Sequence, residues 1–458
     1  MYSGEKDEKD KRVKQGRGLR CHVCTGCGRC PGVTPAGSAA GRLHILADEL
    51  EGKGLTPPGN ASGEKEVPPG EASRRKEPML VAAGSAEKEA APPMLAPPGS
   101  RLAVADIGTT TIAMLLYGTD GAVTDRYVAV NPQVKYGADV ISRIRAAEDG
   151  NCAAEMSRLV RGELEKGLAR FRCGLSEKEA LRLVVAANTT MTYLLMGWDT
   201  AELGRAPFRA SRLAAAETEI AGVSCYLLPG MSAFVGGDVT AGIYACGMAE
   251  REGVCLLVDL GTNGELVLGN REKRLACATA AGPAFEGGVN RGVWGSDVVS
   301  LLAVLRRKGL LDGTGLLAEE YFDTGIRIGN VRVTQEAVRS VQLAKAAIAA
   351  GIGILLDKYG IGMEQVERVV LAGGFGYYLN PADAAEIGLL PAELAVKAVA
   401  GGNTALAGAL RAGRILLQER GEERLRSCLE AVVSGTNCLN LGEEPTFGER
   451  YLAALGLE

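Results

Sequence analysis

Two stretches of the chain share one pattern, and that pattern decides the fold. Residues Ala103–Thr111 are AVADIGTTT, and residues Leu256–Glu265 are LLVDLGTNGE. Each is an apolar run that ends in Asp, followed by an apolar residue, Gly, Thr and further polar residues. This order predicts a buried strand and then a tight turn. One copy is common in ordinary hairpins, but two copies in corresponding places predict two matching lobes.

The sequence around each copy repeats as well. Residues 101–130 predict three strands joined by tight turns, and helices and strands then alternate in the order βββαβαβα. Residues 254–280 again predict three strands, and a long helix that Thr334 caps follows further on. The sequence therefore predicts an α/β protein with a duplicated lobe and a cleft between the two copies.

Composition divides the rest of the chain. A chain of 458 residues is expected to hold two or three domains at ~100–200 residues each. Residues 51–99 are rich in Pro, Gly, Ala, Glu and Ser, and such a stretch buries too little apolar surface to offset its chain entropy. The predicted parts are a disordered tail at 1–17, a segment with four clustered cysteines at 18–50, a flexible linker at 51–99, lobes at 100–250 and 251–425, and a closing segment at 426–458.

Composition also excludes several classes of function. The chain has 2 histidines, His22 and His44, which argues against a Ser/His/Asp hydrolase and against a His-rich zinc enzyme. A net charge of -4 gives no nucleic-acid footprint. No apolar run reaches the ~18 residues that cross a bilayer, and the polar N-terminus has no secretory signal region. We therefore expect a cytoplasmic protein that binds neither nucleic acid nor membrane.

The paired Asp-x-Gly-Thr turns predict phosphate binding from both sides of the cleft. Glycine lets backbone N–H groups approach phosphate oxygens, and threonine hydroxyls add donors. Asp106 and Asp259 are suited to hold Mg²⁺ through its water shell, and Glu265 lies beside this site or forms an ion pair. The residues predicted to surround the phosphates are Gly108, Thr109, Thr110, Thr111, Gly261, Thr262, Asn263 and Gly264.

A third glycine motif follows in RVVLAGGFGYYLNP, residues Arg368–Pro381. A buried strand is predicted to end at Gly373, and Gly374 and Gly376 follow. Without side chains, these positions let the backbone lie against a base or a ribose. A tight strand-to-helix turn is the alternative interpretation.

Two polar residues elsewhere are candidates for the same cleft. Asp238 follows a Gly-Gly pair at a predicted helix start, where it is suited to orient or deprotonate an attacking water or to serve only as an N-cap. Lys345 lies on the long helix, and it reaches the nucleotide or lies on a solvated helix face.

In this order and spacing the four motifs resemble the nucleotide core of the acetate and sugar kinase, heat-shock chaperone and actin superfamily, over about residues 100–420. The resemblance implies two ribonuclease H-like lobes around ATP and Mg²⁺. It assigns the two turns to the phosphate motifs and the third glycine motif to adenosine. It also implies catalytic roles for Asp259 and for Asp238, which matches the aspartate that acts as base in sugar kinases.

Longer strings narrow the resemblance to the reductive activators of corrinoid proteins. These strings are VNPQVKYGADVISRI, ANTTMTYLLMG, FVGGDVTAGI, CATAAGPAFEGG, LAGGFGYYLNPADAAEIGLLP and the C-terminal EPTFGERYLAALGL. Members of that family use ATP to drive electrons from an iron–sulfur cluster to an inactive cobalt cofactor. The resemblance implies a corrinoid protein or another low-potential metalloprotein as acceptor and an upstream donor such as ferredoxin.

The N-terminal run CHVCTGCGRCP departs from that family, in which many members carry a plant-type [2Fe–2S] domain or a pair of C-terminal cubane clusters. Four thiolates this close can wrap one metal centre, and they come from Cys21, Cys24, Cys27 and Cys30. Ferredoxin spacing is C-x₂-C-x₂-C-x₃-C-P, one residue longer at the end. Cys₄ zinc sites usually separate two CxxC pairs by a longer loop. The spacing favours a [4Fe–4S] cluster, with zinc, a [2Fe–2S] cluster and a dimer-bridging cluster as alternatives.

Taken together, the motifs predict an ATPase coupled to electron transfer. The alternatives are a small-molecule kinase with a zinc or iron–sulfur appendage, and an ATP-binding sensor without enzymatic activity. The chain shows no obvious insertion with paired polar residues for a sugar or acid substrate, which disfavours the kinase. The acceptor and the oligomeric state stay open, and a homodimer is compatible with the sequence.

Overall fold

The structure is a computed structural model, and it describes residues 99–457 except 177–178, 286–294, 329–330 and 377. The predicted tail, the iron–sulfur segment with its four cysteines, and the predicted linker up to residue 98 lie outside the described residues. The two predicted lobes and the closing segment lie almost wholly inside them.

In the described part of the first lobe, one mixed sheet carries the fold. Its strands are β1 (Ser100–Ile107), β2 (Thr111–Tyr117), β3 (Val123–Val130), β4 (Ala180–Ala187), β5 (Ala216–Ile220) and β6 (Val223–Leu227). The spatial order is β3-β2-β1-β4-β6-β5, with β1, β4 and β6 parallel. The helices are α1 (Val140–Ala147), α2 (Gly150–Arg172), α3 (Thr189–Met196) and α4 (Gly237–Ala245).

The second lobe repeats this plan. Its main sheet contains β7 (Val254–Leu260), β8 (Gly264–Gly269), β9 (Arg274–Thr279), β12 (Val366–Ala372), β13 (Ala398–Gly402) and β14 (Thr436–Leu439), in the order β13-β12-β7-β8-β9-β14. A separate ribbon pairs β10 (Ile326–Ile328) with β11 (Val331–Val333).

Helices surround the second sheet on both faces. They are α5 (Gly295–Arg307), α6 (Gln335–Tyr359), α7 (Gly373–Gly376), α8 (Pro381–Glu386), α9 (Ala392–Ala395), α10 (Thr404–Leu416), α11 (Gly421–Ser434) and α12 (Phe447–Ala453). Short 3₁₀ turns lie at Pro132–Tyr136, Ala201–Gly204, Gly282–Phe285, Glu319–Tyr321, Met363–Gln365 and Leu441–Glu443.

The predicted duplication is confirmed, because β1–β2–β3 and β7–β8–β9 form matching antiparallel units that each meet a parallel strand. The first lobe adds one edge strand, β5, which pairs antiparallel with β6 and was not predicted. Its first four residues alternate between partly buried and exposed, so it lacks the apolar run by which β1, β4 and β6 were predicted. The predicted cap of α6 is confirmed, since the Thr334 hydroxyl accepts a hydrogen bond from Ala337 N at 3.2 Å.

Three apolar layers hold the lobes together. One face of the first sheet packs on α2 and α3, and one face of the second packs on α5 and α6. The two remaining faces pack on α4, α10 and α11, which lie between the sheets. Helices α4 and α10 touch backbone to backbone, since a β-carbon on Gly408 would lie 2.1 Å from the carbonyl oxygen of Ala241.

Within the residues that the structure covers, α6 is the one helix long and apolar enough to cross a membrane. It lies inside the second lobe, and 72% of its apolar window is buried. Its hydropathy is therefore that of a core helix.

Candidate functional site

The two Asp-x-Gly-Thr turns face each other where the lobes meet. Each turn is closed by a backbone hydrogen bond of 2.9 Å, donated by Gly108 N in the first and by Gly261 N in the second. The hydroxyl oxygens of Thr110 and Thr262 lie 3.4 Å apart. The structure thus brings the two predicted phosphate turns together from opposite lobes.

Four carboxylates surround this junction, and all are partly buried. Asp106 and Asp259 lie near the ends of the matching strands β1 and β7, and Asp238 lies in the first turn of α4. Glu265 stands directly opposite Asp259 in the antiparallel register of β7 and β8, so the two side chains share one face of the sheet. The sequence predicted three of these positions around a cleft and left the placement of Glu265 open.

Burial raises the pKa of every carboxyl in this cluster, and repulsion by a neighbouring carboxylate adds to this effect at three of the four. Burial raises the pKa of Asp106 to about 6. Burial, and then the charge of Asp106, raises the pKa of Asp259 to about 7. Burial, and then the charge of Asp259, raises the pKa of Asp238 to about 7. Burial together with the charges of Asp238 and Asp259 holds the pKa of Glu265 well above its usual range.

Two residues that the sequence did not single out complete the cluster. The side-chain amide of Asn403 donates to Asp106 Oδ2 at 2.6 Å, and the hydroxyl of Thr404 donates to Asp259 Oδ2 at 3.3 Å. Both residues lie at the start of α10, after the Gly-Gly that ends β13. The signal that marks them is a Gly-Gly-Asn-Thr run between a strand and a helix, the same kind of junction that singled out Asp238.

The start of α4 tests one of the two roles predicted for Asp238, that of an N-cap. Gly236 is the N-cap residue of α4, and Asp238 is the second residue of the helix itself. The N-cap role is therefore wrong for Asp238. Its carboxylate accepts from Val239 N at 2.8 Å and lies within the carboxylate cluster. Glycine is required at position 236 because a β-carbon there would lie 2.5 Å from the backbone of Asn188 at the start of α3.

The third glycine motif forms α7, a single helical turn directly after β12. Gly373 has φ +89°, and a β-carbon there would lie 2.4 Å from Asp259 Oδ1. Gly374 is exposed with open space where a β-carbon would stand, and Gly376 is buried. The ring of Phe375 stacks on that of Phe285, with the two ring centroids 4.6 Å apart. The motif therefore adjoins the second phosphate turn and leaves one glycine facing solvent.

A network of buried hydrogen bonds holds the backbone of the first Asp-x-Gly-Thr turn. Arg143 is fully buried, and its guanidinium donates to the carbonyl oxygens of Thr109 at 2.5 Å and Gly137 at 3.0 Å. The amide of Asn131, also fully buried, donates to the Gly108 carbonyl at 2.9 Å. Because these bonds hold the backbone of the turn, its N–H groups keep one orientation.

The hydrogen bond of the Lys345 amine goes to the C-terminal segment. The side chain is buried, and the amine donates to the carbonyl of Gly456 near the C-terminus. Burial, and then the charge of Arg306, lowers the pKa of Lys345 to about 8. A solvated helix face is therefore the wrong description, and a nucleotide contact stays a prediction.

Among the described residues, no three Asp, Glu, His or Cys side chains converge closely enough to hold a metal ion directly. The carboxylate and hydroxyl oxygens at the junction are nevertheless the donor types that Mg²⁺ takes, and this ion usually keeps several of its waters. Asp106 and Asp259 thus fit a hydrated ion. The cysteines of the described part are all unpaired, Cys428 and Cys438 among them.

Two family profiles cover most of the described chain. The profile of the RACo middle region matches residues 102–251, and that of the C-terminal domain of RACo, the ASKHA domain, matches residues 253–291 and 289–458. The chain belongs to the RACo family. The family predicted from the sequence motifs, the reductive activators of corrinoid proteins, is thereby confirmed, together with the ASKHA character of the second lobe.

Relatives of known function agree with this family. The corrinoid activation enzyme RamQ of Eubacterium limosum is 29% identical over 419 residues, which cover 76% of this chain and 68% of that protein. The solved structure described as a reductive activator for corrinoid, iron–sulfur protein matches with a TM-score of 0.69 and 29% identity, over 78% of this chain and 66% of that one. The chain thus spans about two thirds of the length of these two relatives.

Proposed function

We propose that this chain is an ATP-dependent reductive activator. It couples ATP binding and hydrolysis to the transfer of low-potential electrons from an iron–sulfur cluster to a corrinoid protein or another metalloprotein. The observation that carries the proposal is the carboxylate cluster between two matching phosphate turns in a chain of the RACo family. The family of the chain and its relatives support a corrinoid protein as the acceptor. The geometry of the junction between the two turns supports the nucleotide chemistry.

The nucleotide half of the proposal assigns a role to each part of the junction. The two turns bind the phosphates through backbone N–H groups and threonine hydroxyls. Asp106 and Asp259 hold hydrated Mg²⁺. Asp238, with its pKa raised to about 7 by burial and by Asp259, is suited to take a proton from the attacking water at neutral pH. Gly373, Gly374 and Gly376 receive the adenosine.

The electron half rests on cysteine spacing, because Cys21, Cys24, Cys27 and Cys30 lie outside the described residues. We propose that they hold a [4Fe–4S] cluster, which takes electrons from a donor such as ferredoxin. An uphill one-electron step costs about 1.4 kcal/mol for every ~59 mV. ATP can supply this free energy where nucleotide binding favours one state of the complex with the acceptor. A cytoplasmic location and a homodimer belong to the same proposal.

Anaerobic purification tests the electron half. Iron and acid-labile sulfide analysis is expected to give about four of each per chain, with the broad visible absorbance of a cluster that dithionite bleaches. The variant Cys24→Ser is expected to lose this absorbance, while Cys173→Ser, at an exposed cysteine of the first lobe, retains it. Zinc in place of iron, without visible absorbance, would contradict electron transfer by this segment.

Steady-state hydrolysis tests the coupling. ATP hydrolysis is expected to rise when a corrinoid protein in its inactive Co(II) state is added, and Co(I) is expected to appear in the visible spectrum only with ATP and a reduced donor. Hydrolysis that no corrinoid protein changes, together with phosphate transfer to a sugar or an organic acid, would favour the kinase instead.

A further inference from the structure

Helix α10 joins the two lobes at the carboxylate cluster. It follows β13 and so belongs to the second lobe in sequence, but it packs on β1 and β4 of the first. A β-carbon on Gly413 would lie 2.6 Å from the side chain of Leu102, and Gly408 touches the backbone of α4. Because these approaches are so close, the helix keeps one position relative to the first lobe.

The first residue at this helix end uses both halves of its side-chain amide. Asn403 is the N-cap of α10, and its Oδ1 accepts from Leu406 N at 2.8 Å. Its Nδ2 donates to Asp106 Oδ2 at 2.6 Å. Serine or aspartate would cap the helix about equally well. An amide is suited to both contacts because its acceptor and its donor are separate atoms, whereas serine has a single, shorter-reaching hydroxyl and an aspartate would repel the Asp106 carboxylate.

The next residue holds the corresponding carboxylate of the second lobe. Thr404 is buried, and its hydroxyl donates to Asp259 Oδ2 at 3.3 Å. The other oxygen of Asp259, Oδ1, lies against Gly373. Asp259 is therefore fixed from both sides, with one contact from α10 and one from the third glycine motif.

We propose that Asn403 and Thr404 are positioning residues, which align one aspartate from each lobe for a single hydrated magnesium–nucleotide complex. This inference rests on the proposed ATP hydrolysis and adds the residues that make the two halves of the cleft act together. Since both contacts come from consecutive residues, the spacing between the two carboxylates is set by one helix end.

Substitutions that retain the helix cap test the first contact in the full-length protein. Asn403→Ser keeps a capping oxygen but loses the amide donor. A lost hydrogen bond to a charged group is expected to lower kcat about 10- to 100-fold, with a smaller change in the KM for ATP. Asn403→Asp is expected to lower kcat at least as much. Calorimetry measures the binding of a non-hydrolysable ATP analogue with and without Mg²⁺. In Asn403→Ser and Asn403→Asp, the affinity for the analogue is expected to lose most of its dependence on Mg²⁺.

The second contact has its own matched pair. Thr404→Val removes the hydroxyl with little change in volume and is expected to lower kcat, whereas Thr404→Ser retains the hydroxyl and is expected to restore it. Asn440→Ser is the control, because Asn440 also caps a helical turn and donates to a carboxylate, that of Glu443, on the protein surface. This control is expected to behave as the wild type.

The outcomes separate the inference from the function on which it rests. A wild-type protein that neither hydrolyses ATP nor binds the analogue with Mg²⁺ would overturn the proposed function. An active wild type with unchanged kcat and unchanged Mg²⁺ dependence in Asn403→Ser and Thr404→Val would overturn the positioning role alone. If Asn403→Ser proves unstable, the comparison of Thr404→Val with Thr404→Ser decides, since both keep the helix cap at Asn403.

Discussion

Gly373 lies directly against the carboxylate of Asp259: a β-carbon at Gly373 would stand 2.4 Å from Asp259 Oδ1. The third glycine motif and the second phosphate turn are therefore one packed unit. This arrangement follows from the parallel pairing of β12 with β7, which places Ala372 opposite Asp259 and brings the next residue over the carboxylate.

Gly373→Ala is expected to destabilise the protein and to abolish nucleotide binding. The backbone has φ +89°, which is costly for alanine, and the added methyl group collides with Asp259. The melting temperature is expected to fall by about 2–4 °C for each kcal/mol lost. Gly374→Ala is the matched control for stability alone, since a β-carbon there meets nothing within 4 Å. Equal stability of the two variants would show that the packing against Asp259 is unimportant.

Asp259→Asn is expected to abolish ATP hydrolysis while the visible absorbance of the cluster stays intact. The amide keeps the volume of the carboxylate but removes the charge proposed to hold Mg²⁺. Phosphate release and the absorbance spectrum of the anaerobic protein measure the two properties separately. Loss of both together would argue against a cluster segment that is independent of the nucleotide lobes.

The carboxylate cluster predicts how stability depends on pH. The pKa values of Asp238 and Asp259 are raised from 3.8 to about 7, so the folded protein retains protons that the unfolded chain releases. In the absence of divalent cations, the contribution of these groups to the free energy of unfolding is therefore largest near pH 4 and falls as pH rises to about 7.

Asp238→Asn tests this dependence, because the amide oxygen still accepts from Val239 N. The variant is expected to melt higher than the wild type at pH 7.5 in EDTA, and the difference is expected to shrink towards pH 5. Calorimetry at both pH values gives the measurement. A variant that melts lower than the wild type at both pH values would contradict a raised pKa for the carboxyl of Asp238.

Arg143→Lys is expected to weaken both stability and ATP affinity. Lysine keeps the charge but lacks the planar group that donates to Thr109 and Gly137 together. Loss of hydrogen bonds from a buried charged group costs about 1.5–3 kcal/mol. Arg145→Lys, at an exposed position of the same helix, is the control. Chemical denaturation and analogue binding would show the effect, and equal values in the two variants would exclude a supporting role for Arg143.

Most of the proposed nucleotide cleft could be predicted because its motifs are local. An apolar strand that ends in Asp-x-Gly-Thr describes its own turn, and Asp238 follows a Gly-Gly pair at a helix start whatever the rest of the chain does. The pairing of the lobes followed from repetition of the same local pattern. These parts depend on residues within a few positions of one another.

The contacts of Asn403 and Lys345 depended on tertiary packing. Asn403 lies 297 positions from Asp106, and the two meet because α10, which lies between the two sheets, packs on β1 and β4 of the first lobe. Lys345 is buried because the C-terminal segment packs on its side of the helix, where the Gly456 carbonyl accepts a hydrogen bond from the lysine amine. The edge segment β5 forms a strand because it pairs with β6, and the alternation of its own residues was not enough to predict it.

By itself, the sequence determined the duplicated α/β fold, the two Asp-x-Gly-Thr turns and the third glycine motif, since strand periodicity and glycine turns are encoded over short stretches. The family followed from the resemblance of longer strings to those of its members. The tertiary structure decided which carboxylates share one site and which residues hold them. The physical reason is that a carboxylate's pKa and orientation depend on the burial, charges and donors around it, and those come from distant parts of the chain.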